Sequence, residues 1–379
     1  MADRPKYTLR AARGQDFEEI SRLLAGLGLT VPESPEKIEA LRRRLWEDNP
    51  ALTDKNQDHI GWALEAEGAI VGFFGNIPRL YYFGETEITT AVAGLWGLEK
   101  PFRRQILNLA DTYFQQPDAG LLVASTANEQ AGRIFEHYDA RRLPMPEYGN
   151  VLFWVTGVQG FLSAALRKIG VPNIFASLAA IAAAPVVSAG LVLGRRRPTQ
   201  AFQTTLTVTH ITVGEIGDDF DELWRRRLEG PDRLMACRDA KTLRWHFSPG
   251  SSQPAAGVLT CRLKGALEGY AALVRDDTSA DGLSRLKIAD VSIAGDDGNV
   301  FDALLGAAFE NAQASGCHVL ELTGLPPALR AHAEAWRPFV RQMPTWPFYY
   351  KTIDQALQET FAQGESWYVT AYDGDTTLL

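Results

Sequence analysis

Ala93-Gly-Leu-Trp-Gly-Leu-Glu-Lys-Pro-Phe-Arg-Arg-Gln-Ile-Leu107 is the stretch on which the reading of this chain turns. Its first half is small and apolar, the pattern of a buried strand ending at Leu98. Glu99 and Lys100 break the run, and Pro101 stands where its fixed φ suits a first helical turn. A helix start leaves backbone N–H groups without partners and carries partial positive charge. Arg103 and Arg104 add two full charges there, so this junction suits an anion such as a pyrophosphate. The plainer alternative is a helix start with two solvated arginines.

Toward the N-terminus, residues 7–10 alternate as a short strand, and Phe17, Ile20, Leu24 and Leu27 recur at helical spacing. Ser34 and Pro35 open a second helix that stops at Asn49-Pro50. Strands 60–66, 70–82 and 86–98, with turns at Glu67-Gly68 and Gly84, read as an antiparallel meander. Beyond the junction come a helix over 101–114, a strand over 120–125, a helix over 128–138 and a strand over 151–156. The second half repeats this plan about 200 residues later, the separation of a whole domain rather than of a solenoid repeat. There a helix over 238–247 precedes a strand pair turning at Gly265, then strand 286–293, helix 300–314, strand 319–322 and helix 327–336. Late strands are expected at 348–351 and 367–371.

The 379 residues suffice for two packed domains, and 46% hydrophobic against 22% charged residues argues for globular cores. A net charge of -8 disfavours general nucleic-acid binding. Cys237, Cys261 and Cys317 lack ligand spacing, so no metal is expected and the thiols read as reduced core residues. The polar opening residues 1–7 do not match a secretory signal, so a cytoplasmic chain is the expectation, associated with the inner face of the cytoplasmic membrane. Phosphate-loop, dinucleotide, zinc-protease and serine-hydrolase motifs are absent from the sequence.

The run 93–107 resembles the motif of the GNAT superfamily in which a central strand enters the helix that cradles the pyrophosphate of acyl-CoA. Leu98, Phe102 and Arg103 take the motif's Val, aromatic and Arg positions, and Gln105 lies inside the loop. The family's loop is rich in glycine, whereas this chain has Arg104, Ile106 and Asn108 there. A second run, 123–138, is similar to the next GNAT motif, a strand followed by an Asn, here Asn128, and a helix. The family's tyrosine acid falls on Phe135, leaving Tyr138 as its substitute. The resemblance covers most of residues 7–156 and more loosely 203–379. It implies an α+β fold of two tandem GNAT-like lobes, each a mixed twisted sheet flanked by helices. The expected bounds are 1–156 and 201–379, joined by an apolar helical connector over 157–200.

What the resemblance implies chemically is acyl transfer, not of aminoacyl groups, from acyl-CoA to an amine. That reaction needs a base for the ammonium, donors for the oxyanion and an acid for the thiolate. Glu99 is the expected base, with Tyr138, His137 and Tyr82 as further catalytic candidates. Glu65, Asn76, Tyr81 and His318 are weaker ones. Asp296-Asp297 before the helix of the second half would repel a pyrophosphate, which favours the first lobe for the donor. The aromatic tract 346–350 and the tail 367–375 resemble late strands of envelope-linked tandem GNAT-like proteins and are candidates for an acceptor groove or for core.

Residues 171–194 carry no charge and are closed by Arg195, Arg196 and Arg197. About 24 helical residues span roughly 36 Å, against a bilayer core of about 30 Å. A crossing helix, a helix buried between the lobes and an interfacial or re-entrant anchor all satisfy the length. The anchor, over 161–194, is the favoured expectation because basic residues flank it. An anchor suits an acceptor that partitions into lipid, hence a long-chain amine such as a sphingoid base. The alternatives are an amino sugar of an envelope precursor and a catalytically silent scaffold. An aminoacyl-transferring FemAB-like reading lacks the sustained heptads of its helical arm.

Overall fold

A computed structural model describes residues 6–32, 34–52, 60–198, 205–248, 255–277, 280–343 and 348–378. Strands β1 (Thr8–Ala11), β2 (Gly61–Ala66), β3 (Ala69–Phe83), β4 (Thr86–Leu98), β5 (Leu121–Ala124) and β6 (Arg141–Arg142) begin the chain's first sheet. They are followed by β7 (Asn150–Val155), β8 (Leu206–Ile211), β9 (Leu234–Ala236), β10 (Ala255–Leu263) and β11 (Ala266–Asp276). The last four are β12 (Arg285–Ile293), β13 (Val319–Leu322), β14 (Phe339–Gln342) and β15 (Tyr349–Thr352). One sheet runs β1-β2-β3-β4-β5-β15-β6, with β9 on the far end of β3, and the other runs β8-β10-β11-β12-β13-β7-β14. The two orders match place for place.

The meanders repeat in detail. Glu67 and Gly68 both have positive φ at the β2–β3 turn, as do Lys264 and Gly265 at the β10–β11 turn, the signature of a tight hairpin that only a glycine accommodates freely at its second residue. Each central hairpin carries one bulge, at Leu95 opposite Phe74 and Gly75, and at Ala289 opposite Ala272 and Leu273. In each lobe the next contact is parallel, β4 to β5 and β12 to β13.

The slot beside that parallel pair is filled from the other half of the chain. β15 lies between β5 and β6, pairing Tyr349 with Ala124 and Tyr350 with Arg141. β7 lies between β13 and β14, pairing Val155 with Val319 and Phe153 with Phe339. The strand 151–156 therefore does not close the first lobe, as its sequence position suggested. Its alternation satisfies either sheet equally, and pairing partners are not encoded in a period of two.

Eleven helices among the described residues cover these sheets. α1 (Phe17–Gly26) and α2 (Pro35–Arg42) flank one face of the first sheet, with Phe17, Ile20, Leu24 and Ile38 buried. Ser34 caps α2, its Oγ accepting from Lys37 N at 3.4 Å. α3 (Ile106–Phe114) and α4 (Glu129–His137) flank the other face, and α5 (Val158–Lys168) and α6 (Asn173–Leu193) follow β7. α7 (Asp218–Leu228), α8 (Ala240–His246), α9 (Gly298–Ala314), α10 (Pro327–Ala335) and α11 (Gln355–Thr360) complete the set. A shared core joins the lobes, with Phe17 and Ile77 of the first in one cluster with Phe220 and Tyr270 of the second.

Three expectations are corrected. The helix expected from Pro101 begins at Ile106, after a 3-10 turn over Lys100–Gln105. Phe102 N donates to Glu99 O at 2.9 Å, so the chain is wound tighter at first. Residues 367–371 form bridges at Trp367 and Thr370 but no ladder, because the tail threads between the lobes instead of joining a sheet edge. Finally, α6 is not buried between the lobes: Ile174 is 73%, Phe175 66% and Leu178 60% exposed.

Candidate active site

The two parallel central strands of the first lobe part company. β4 and β5 pair only over Thr90–Val92 and Leu121–Val123; β5 then ends, while β4 continues to Leu98 on β3. The Tyr113 hydroxyl of α3 sits at the fork, 2.8 Å from Ala91 O and 3.2 Å from Val123 O. Ligands of α/β sheets bind outside the carboxyl ends of parallel strands, where successive helices lead away. Here those helices are α3, which follows β4, and α4, which follows β5.

On the α3 and α4 face, Trp96 stacks on Phe74 with centroids 4.4 Å apart and meets Phe135 edge-on at 6.3 Å. Its Nε1 is buried with no partner among the described residues. Such a donor marks a place where a ligand or water acceptor fits. On the opposite face, the Ser125 and Thr126 hydroxyls both bond the Asp375 carboxylate, Thr126 at 2.5 Å. Asp375 N in turn donates to Ser125 Oγ at 3.0 Å. Burial holds the Asp375 carboxyl above its ordinary value, against the lowering effect of those hydroxyls. This cluster joins residues 250 apart in the chain. The Asp-Gly-Asp tail was the only signal of it in the sequence.

Arg103 and Arg104 are exposed in the 3-10 turn that follows β4, with no ion-pair partner among the described residues. Leu98 is buried, and Phe102 and Ile106 pack against the core under α3. The amides between them are already engaged: Asn108 Nδ2 donates to Gln105 Oε1 at 2.8 Å and to the Tyr7 hydroxyl at 3.0 Å. Asn128 caps α4, its Oδ1 accepting from Ala131 N at 2.9 Å.

The four catalytic candidates do not converge. Glu99 is exposed at the end of β4 beside the arginines. Tyr82 lies at the other end of the same hairpin, about ten strand residues or roughly 33 Å away, where its hydroxyl donates to Glu87 at 2.7 Å. The Tyr138 hydroxyl donates to Asp111 at 2.6 Å and its ring stacks on Phe114 at 4.3 Å. Burial first and the Asp111 bond second push its pKa up, so it is a reluctant acid. His137 is exposed next to it.

The weaker candidates are also accounted for. Glu65 pairs with Arg10 at 2.8 Å, and the Tyr81 hydroxyl is buried against Asp373 O. His318 Nδ1 accepts from Ser284 N at 3.1 Å, with its pKa lowered by burial. Asn76 Oδ1 alone is buried and without a partner among the described residues. Of the aromatic tract, residues 344–347 lie outside the described residues, while Phe348, Tyr349 and Trp367 are core. A groove of about 490 Å³ adjoins Phe348 and Tyr349. Leu143, Met145, Tyr148 and Phe348 form its apolar wall, and Glu129 and Arg142 its charged rim.

The equivalent fork of the second lobe is occupied by its own chain. Tyr368 donates to Val291 O at 2.7 Å, and Leu325 N to Val369 O at 2.9 Å. Arg238, with 1% side-chain exposure, bonds Asp290 at 3.0 Å and Asp373 at 2.6 Å. Asp296 is taken up by Arg227 and Arg233, and Asp297 caps α9.

This architecture superposes on solved structures over nearly the whole chain. A GCN5-related N-acetyltransferase from Anabaena variabilis superposes with a TM-score of 0.57 at 10% identity, over 92% of this chain and 73% of that one. The fold is that of tandem GNAT acyltransferases. A second such N-acetyltransferase, from Kribbella flavida, gives 0.54 at 11% identity, over 93% and 72%. Saccharomyces cerevisiae N-myristoyltransferase, solved with myristoyl-CoA bound, gives 0.50 at 10% identity, over 92% and 85%. No family model and no curated sequence matches the chain. At these identities the likeness between GNAT folds is one of architecture.

Proposed function

We propose that this protein is an acyl-CoA-dependent N-acyltransferase whose donor occupies the fork of the first lobe. The observation that carries the reading is the fork itself, opened between β4 and β5, with two guanidiniums exposed in the turn where β4 ends and without an ion-pair partner among the described residues. The N-acetyltransferases and the myristoyl-CoA-bound N-myristoyltransferase that share the fold support the donor class. In this reading Arg103 and Arg104 hold the pyrophosphate, in place of the close backbone approach that Ile106 and Asn108 hinder. Trp96 Nε1 offers a hydrogen bond to the arm of the donor. Glu99 takes the proton of the attacking ammonium, since it is the carboxylate at the arginine mouth and is free to reach water.

The acceptor we propose is a long-chain amine, and the groove of about 490 Å³ with its apolar wall supports that choice. The exposed apolar α6 supports action at the cytoplasmic face of a membrane. A second reading, a binding protein without catalysis, is favoured by one observation: the Phe74, Trp96 and Phe135 rings lie across the fork on the α3 and α4 face. Thiol release from acyl-CoAs of graded chain length, with lipid amines and amino sugars as acceptors, tests both. Release that depends on a long-chain amine supports the proposal; silence with every donor and acceptor sinks it in favour of the binding protein.

A further inference from the structure

We propose that α6 lies flat in the headgroup region of a single anionic leaflet, with both lobes on the same side of it. At 3.6 residues per turn, the buried Ala176, Ala180 and Leu191 share one face of the helix. The exposed Ile174, Phe175, Leu178 and Ile181 lie opposite. The buried face packs on α5, and α5 is held on the second lobe, where Arg167 Nη1 donates to Asp281 O at 2.9 Å. The other end of α6 is held on the same lobe: the Arg196 guanidinium lies 4.3 Å over the Phe339 ring and donates to Arg337 O at 3.2 Å. A helix of 21 residues is about 32 Å long. Crossing a bilayer would carry one of its ends that far from the lobe and break one set of contacts.

Charge selects the occupant of the exposed face. Residues 158–198 contain Arg167, Lys168, Arg195, Arg196 and Arg197 and no Asp or Glu, in a chain of net charge -8. An apolar stripe between basic ends fits anionic headgroups over an acyl layer. A second copy docked on the same stripe would set these basic ends against each other. The inference shares its membrane location with the proposed activity but none of its chemistry, so binding measured without a donor separates the failure of one from the failure of the other.

The test is flotation of the whole chain with phosphatidylcholine vesicles, with and without phosphatidylglycerol. Binding is expected to be about tenfold stronger on the anionic vesicles. It should be lost in Phe175→Glu with Leu178→Glu, whose unfolding midpoint stays unchanged because both side chains are exposed. Lys168→Glu with Arg195→Glu should remove the anionic preference and keep the fold. The three native thiols are buried, so a single Asn173→Cys reports on the start of α6, and an impermeant maleimide added outside should modify it on vesicles. Protection of that thiol until detergent is added would overturn the in-plane placement. Absence of vesicle binding, or a solution dimer dissociated by Leu178→Glu, would overturn the lipid assignment.

Discussion

Arg238 Nη2 and Asp373 Oδ2 lie 2.6 Å apart in a place water does not reach, joining the second lobe to the chain's own tail. Asp290 shares the same guanidinium, and the Tyr270 hydroxyl donates to Asp290 at 2.6 Å. Removing one partner of a buried pair leaves an uncompensated charge, at a cost of about 3–5 kcal/mol. Arg238→Met strands two carboxylates and should lower the unfolding free energy, measured by urea titration, by that much. A change of less than about 1 kcal/mol at an unaltered m-value would mean that the cluster does not hold the lobes together.

His246 supplies a pH dependence. Its ring is fully buried, with Nε2 2.7 Å from the Thr377 hydroxyl and Arg79, Arg44 and Arg238 nearby. Burial first and these cations next hold its pKa well below 6.5. Below pH 6.5 the unfolded chain takes up a proton that the folded one refuses, so stability should fall with acidity by up to about 1.4 kcal/mol per pH unit. His246→Gln should flatten unfolding free energy between about pH 6.5 and 5, measured by denaturant titration. An unaltered slope would assign the effect to other groups.

For the donor site, Arg103→Ala with Arg104→Ala should raise the KM for acyl-CoA by about tenfold or more, as expected when charge-assisted bonds to phosphate are lost. Glu99→Gln should instead lower kcat and remove the acidic limb of its pH profile, because a base must be deprotonated to act. Equal kinetics in the first variant would take the arginines out of the site. An unaltered profile in the second would dismiss Glu99 as the base.

The exchanged strands make each half dependent on the other. Residues 1–157 expressed alone lack the strand between β5 and β6, and 199–379 alone lacks the one between β13 and β14. Each should be insoluble by itself, while coexpression should give a soluble complex. A soluble, cooperatively unfolding first half would refute this dependence.

Much of the architecture was legible because the signals are local. Glu67-Gly68 and Gly265 announced their hairpins, and Phe17, Ile20 and Leu24 the buried face of α1. β6 escaped notice because two residues carry no period, and α7 because its surface is charged enough to mask the buried Phe220 and Leu223. Arg103 and Arg104 were readable as charges in the turn that leads into α3, and the structure has both exposed there. Tyr82 was set in the wrong neighbourhood because a long strand looks alike at both ends, although its termini are tens of ångströms apart. The Asp375 cluster depends on contacts across 250 residues, for which no local pattern exists.

The exchange of β15 into the first sheet also sets an order on synthesis. Ala124 of β5 must wait for Tyr349, some 225 residues later, before its neighbour exists. At about 5–20 residues per second, that delay is roughly ten to forty-five seconds on the ribosome. Meanwhile the nascent chain presents a raw apolar edge, and α6 emerges before the gap is closed. A cell making this protein therefore needs something to shield that edge during translation, and a chaperone-depleted translation extract should yield aggregates whose proportion rises as elongation is slowed.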